Sequence, residues 1–177
     1  MGRGILYKRM LRPIDYIILF IVTVLLQLLL FNNIEVTGLL SIFVYPLFVI
    51  ALPVSVAPGA LLLLAALLGV TIDFFSGTAG LSTMSLVLMA FTRPAILRLM
   101  VGDATDSAPV SGKIGSYRFL RYATVMLLIH NFAFFMLESL SFEHLPITLL
   151  RIAICTLFSL AAVYFCQLPL TRQKYRF

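Results

Sequence analysis

The sequence predicts an all-α integral membrane protein, a single domain over 1–177 with six transmembrane helices. Three observations predict it. The chain is 62% hydrophobic and only 11% charged, with a mean hydropathy of +1.08. A water-facing exterior needs more charge than that, so the surplus apolar surface must face lipid. Six apolar segments have the length of a membrane-crossing helix. The basic residues collect in three groups that an even number of crossings brings to one side.

The segments are 14–31, 39–56, 59–75, 81–99, 119–140 and 146–168. Lengths of 17 to 23 residues give about 26–35 Å of helix, matching a hydrocarbon core of about 30 Å. The first follows Arg3, Lys8, Arg9 and Arg12, as a secretory leader would. The run is too long for a leader, and "FNNIEVTG" after it offers no small-x-small cleavage site, so it is expected to stay as a span. Only Thr23 and Gln27 interrupt it, and Gln27 is expected to hydrogen-bond a neighbouring helix.

The second segment carries Pro46 in mid-run and Pro53 near its end. Proline removes a donor and kinks a helix, which membrane helices tolerate when neighbours satisfy the freed carbonyl. A kinked crossing is expected; the alternative is a re-entrant hairpin over 39–75. The sixth carries Cys155 and Cys166 eleven residues apart. They share a helix face about 16 Å apart, too far for a disulfide, and read as small buried apolar groups. The one sizeable polar linker is 102–117, "GDATDSAPVSGKIGSY".

Charge sets the orientation. Arg3, Lys8, Arg9 and Arg12 precede the first segment; Arg93, Arg98, Lys113, Arg118 and Arg121 surround the linker; Arg172, Lys174 and Arg176 close the chain. Six crossings place all of these on one side, 12 of the 13 basic residues, and the positive-inside rule makes that side the cytoplasm. Both termini and the linker are therefore expected on the cytoplasmic side. Tyr7, Tyr16, Tyr117, Tyr122 and Tyr175 fall at the same interface.

Polar groups inside the membrane are costly and mark function or packing. Ala65, Gly69, Asp73 and Gly77 recur every four residues, so Asp73 lies on a small-residue face, where another backbone comes close. Asp73 also ends its helix, where the macrodipole disfavours an acid. The free amides of the next helix, folded back through Gly77 and Gly80, are expected to clamp it. The fifth segment carries His130, Asn131 and Glu138; Arg151 lies on the sixth. Glu138 and Arg151 are equally far from the turn between those segments and are expected to form a buried ion pair. His130 is a lone histidine without an acid beside it, and a structural hydrogen bond is expected rather than a proton relay.

These stretches carry a resemblance. "LLGVTIDFFSGTAGL", after a proline-broken segment and before one ending "AFTRPAILRLM", is similar to the MreD family of rod shape-determining proteins. So are "LLQLLLFNNIEVTG", "FLRYATVMLLIHNFAFFMLESLSF" and "LLRIAI". Many relatives place a proline at the very start of the second segment, whereas here the first is Pro46. The resemblance implies a non-enzymatic subunit of the bacterial cell-wall elongation complex. It implies pairing with the bitopic protein MreC, which links MreB filaments to peptidoglycan polymerases and transpeptidases. It also implies a fold like the six-helix substrate-binding subunits of energy-coupling-factor transporters.

Such a transporter subunit is the alternative function. It docks through small residues on its first helix, and 14–31 contains no Gly, Ala or Ser. An enzyme is not expected: His130 and His144 are the only histidines, and no metal or acid–base set is apparent. No cofactor is expected, and membrane topology accounts for the basic clusters without nucleic acid. A homodimer stays open. A partner helix is expected to use the Ala65–Gly69 stripe and the distortions at Pro46 and Pro53.

Overall fold

The computed structural model describes residues 13–31, 40–100, 109, 114–139 and 145–172. The basic termini, Glu35, most of the 102–117 linker and the turn carrying Glu143 and His144 lie outside these residues. Every long element is helical. Helix α1, Pro13–Leu26, runs into a π-helical turn, Gln27–Phe31. Then come a short α2, Pro46–Ala51, and the long helices α3, Pro58–Ser76, α4, Leu81–Met100, α5, Ser116–Ser139, and α6, Leu145–Arg172.

Four of these, α3 to α6, are long and apolar enough to cross a membrane; α1 with its π turn gives a shorter apolar helix over Tyr16–Phe31. The outward faces are greasy, with Leu63, Phe74, Phe91, Leu99 and Leu157 each more than 60% exposed. That surface is tolerable only in lipid. Sequential helices α3–α4, α4–α5 and α5–α6 pack side by side. Helix α5 is the innermost, with half of its membrane-length window buried.

The second apolar segment departs from the expected kinked helix. Its prolines bracket a short helix instead of bending a long one. Pro46 occupies the first turn of α2, where no amide is needed. Pro53 forces Leu52 into an extended conformation, φ −58° and ψ 146°, which stops the helix there. Residues 41–44 before α2 follow no regular ladder. The whole piece from Val44 to Leu52 is buried, so a short helix and the irregular backbone leading into it fill the centre of the molecule. Lipid excludes unpaired amides, and such a segment survives at membrane depth only when protein surrounds it.

Helices α3 and α4 form a tight hairpin. Gly77 ends α3 in the left-handed conformation at φ 67°, its amide donating to the Asp73 carbonyl at 2.8 Å. A residue with a Cβ is strained there, and glycine is not. Ala79 (φ 47°) and Gly80 (φ 93°) continue the reversal into α4. A Cβ built at Gly69 would come 2.4 Å from the Thr83 Cα, so glycine is what lets the two backbones touch.

Candidate functional site

Several polar side chains inside the molecule converge on segment 41–53 and bond backbone groups that a continuous helix would have paired internally. Gln27, 2% exposed on the π turn of α1, accepts from the Val44 amide at 2.8 Å and donates to the Ile42 carbonyl at 3.1 Å. From α6, Ser159 Oγ accepts from the Phe43 amide at 2.9 Å, and Cys155 Sγ from the Ser41 amide at 3.3 Å. Gln27 thus bonds the backbone of the central segment with both ends of its amide. Neither Cys155 nor Cys166 is in a disulfide, and Cys155 Sγ is an acceptor.

The other end of the segment is held by Arg93. Counted by sequence among the basic residues around the linker, it lies well inside α4 and is only 2% exposed. Its Nη2 donates to the Leu52 carbonyl, its Nη1 reaches the Pro53 carbonyl at 3.5 Å, and its Nε donates to Tyr122 Oη at 3.0 Å. The Tyr122 hydroxyl lies 3.4 Å from the Ile50 carbonyl. Tyr122 is fully buried, so its ring faces the protein interior rather than the surroundings. The carbonyls at the end of α2 carry the negative end of its dipole, which suits a cation. Among the described residues no carboxylate pairs with Arg93. The sequence carries one signal of it: "TRP" on α4 puts an arginine next to a helix-interior proline.

Asp73 is saturated. Oδ1 accepts from the Ser82 amide at 2.9 Å and from the Thr78 hydroxyl; Oδ2 accepts from the Thr83 amide at 2.9 Å and the Thr83 hydroxyl at 2.6 Å. The carboxylate supplies acceptors for two first-turn amides of α4 that have no partner within their own helix. The amides lie at Ser82 and Thr83, at the far edge of the stretch that follows Gly77 and Gly80.

No family model, no curated protein and no solved structure matches the chain. What the residues do must therefore be argued from their geometry.

Glu138 and Arg151 meet at 2.7 Å across the α5–α6 hairpin, but the pair is not buried. Their side chains are 38% and 23% exposed, because Glu138 lies in the last turn of α5. The Arg151 guanidinium also lies 4.4 Å from the centre of the Phe135 ring. An exposed pair contributes about 0.2–1 kcal/mol, well below the 3–5 kcal/mol lost when a fully buried pair is broken.

His130 is wholly buried between Phe43, Tyr45 and Phe134. Its Nδ1 lies 3.1 Å from Asn131 Oδ1, and Asn131 Nδ2 donates to Thr156 Oγ1 at 2.9 Å. Among the described residues no other ionisable side chain bonds His130, and no group of three His, Cys, Asp or Glu could hold a metal.

The expected partner surface is already filled. Pro46, Pro53, Ala65 and Gly69 are all buried within the chain. Ala65 faces the core, Gly69 meets α4, and the two prolines delimit the central segment. Small residues bring backbones together, and here they bring together the chain's own.

Proposed function

We propose that this chain is a non-enzymatic scaffold of the bacterial cytoplasmic membrane, an MreD-like subunit of the cell-wall elongation complex that pairs with MreC. The observation that carries this reading is the occupied interior. Segment 41–53 fills the interior, with Val44, Tyr45, Leu47 and Phe48 each at most 1% exposed, whereas a substrate-binding subunit needs an open chamber among its helices. The intramembrane polar groups Gln27, Arg93, Tyr122 and Ser159 are engaged with that segment's backbone. They hold a shape rather than present a reactive constellation.

The family resemblance of "LLGVTIDFFSGTAGL" and its neighbouring stretches supplies the identity of the partner. A scaffold with little mass outside the bilayer acts by offering helix faces to another membrane protein. The orientation proposed has both termini and the 102–117 linker in the cytoplasm, from the basic asymmetry. Affinity capture of the full chain from its native membrane, followed by mass spectrometry, tests the reading. Recovery of MreC supports it. Absence of MreC beside a well-recovered bait removes it, and recovery of a transport ATPase module in its place selects the transporter alternative.

A further inference from the structure

Helix α5 is the innermost helix, yet one strip of it stays uncovered between α4 and α6. Phe132, Leu128, Val125, Arg121 and Arg118 recur at intervals of three or four and fall within about 80° of arc. Phe132 and Leu128 are 51% and 40% exposed, the two arginines are exposed as well, and Val125 between them is half-buried. Toward Ser139, Phe132 and Leu128 share with Ile129 the floor of an apolar groove of about 480 Å³, walled by Leu88 of α4 and by Leu149 and Ala153 of α6. That volume falls within the range of about 300–1,000 Å³ that small-molecule sites occupy.

The other end of the strip is cationic. Arg121 Nη2 lies 3.7 Å from Met100 Sδ, which sets the last turn of α4, with exposed Arg98, beside the first turns of α5. Arg121 also lies over the ring of Tyr117, an aromatic 72% exposed at the helix start. Among the described residues no carboxylate pairs with Arg98, Arg118 or Arg121, and the first turn of α5 holds no acid. The positive end of the α5 dipole adds to the same sign. Charge of one sign collects here at the end of an apolar track.

We infer that this strip is a binding site for one phospholipid with a net negative headgroup. Its phosphate rests on Arg98, Arg118 and Arg121, and an acyl chain lies along α5 toward Phe132. From Arg121 to Phe132 is eleven residues, about 16 Å of helix, close to half the hydrocarbon thickness of about 30 Å. That is the run of a single leaflet's acyl chain from headgroup level to mid-membrane. A zwitterionic lipid fits less well, since among the described residues no acid at the rim pairs with the three arginines or offers its ammonium a partner. A protein segment would need an anion and an apolar tail at the same separation, which an anionic lipid has by construction. Basic recesses between membrane helices recognise anionic headgroups in this way.

The test is lipid retention by the purified full-length chain, read by native mass spectrometry with added phosphatidylglycerol or phosphatidylcholine. The wild type is expected to keep one phosphatidylglycerol at least tenfold better than phosphatidylcholine. Arg98→Gln with Arg118→Gln and Arg121→Gln should abolish that preference. Removing the same charge by Arg172→Gln, Lys174→Gln and Arg176→Gln should change it less than twofold. Equal loss in both triple variants means diffuse surface attraction and overturns the site. Val125→Trp fills the strip while leaving the cations in place, and it should lower retention at least fivefold. Unchanged retention in Val125→Trp overturns the acyl track, and equal wild-type retention of the two lipids overturns the whole proposal.

Discussion

Asp73 accepts four hydrogen bonds on two oxygens, and two of the donors are backbone amides with no partner inside their own helix. Asp73→Asn keeps one acceptor oxygen and turns an amide group toward the other donors; Asp73→Leu removes both acceptors. A buried donor left unmade costs about 1–3 kcal/mol. Thermal unfolding in detergent should therefore rank wild type above Asn and Asn above Leu; equal loss in the two variants would sink the clamp. The glycines offer a paired comparison within α3. Gly69→Ala drives a Cβ into the α4 backbone and should destabilise by about 1–3 kcal/mol. At Gly59 nothing lies within 4 Å, so Gly59→Ala should be neutral or stabilising by up to about 1 kcal/mol. Lower stability in the Gly59 variant than in the Gly69 variant would contradict the close α3–α4 approach. Asp73 was legible in sequence because Gly77 and Gly80 announce a reversal beside it. Arg93 was not, since an arginine near a helix's basic end reads alike whether it snorkels outward or turns in.

At the scale of elements, the second apolar segment is decided by its surroundings. Pro46 and Pro53 announced a break in the sequence, but not whether the chain would bend there or unwind. Unwinding is stable only where other elements supply donors and acceptors, and two of these, Cys155 and Ser159, lie 114 and 116 positions from the residues they bond. No local pattern carries that information. The Arg93 contact should prove the strongest of these supports, because it closes three groups with one side chain. Arg93→Met leaves the Leu52 and Pro53 carbonyls unpaired at about 1–3 kcal/mol each. Arg93→Lys keeps the charge but lacks the planar fork that reaches several oxygens at once. Unfolding midpoints should fall from wild type to Lys to Met. A Lys variant below Met would mean that burying the charge costs more than its bonds return, and a Met variant equal to wild type would remove the latch.

For the whole molecule, the helical class and the lipid-facing exterior were readable from composition, because burial of so much apolar surface has no other outlet. The helical boundaries 59–75 and 81–99 fall within a residue or two of α3 and α4, since Pro58 and Gly77 mark one helix and Gly80 precedes the other. What failed to read through was the partner groove: small residues look the same in sequence whether they pack internally or await another protein. Orientation is open to direct measurement. In a chain with Cys155 and Cys166 replaced, an impermeant thiol reagent should reach a cysteine at Glu143 in whole spheroplasts. A cysteine at Ser107 should react only after permeabilisation. The reverse pattern would invert the topology and move the basic rim of α5 to the outer leaflet.

The central segment also constrains how the chain is made. Ribosomes deliver residues 41–53 long before α6 exists, yet two of the side chains that satisfy its amides belong to α6. Until then the Ser41 and Phe43 amides need water, so this stretch cannot partition sideways into lipid as the flanking helices can. It must wait at the interface or within the insertion machinery while four later helices are threaded. Closure of the fold is then a late event, timed by the arrival of the last helix. A nascent chain stalled before Cys155 would be complete through α5 and still lack the acceptors for the Ser41 and Phe43 amides.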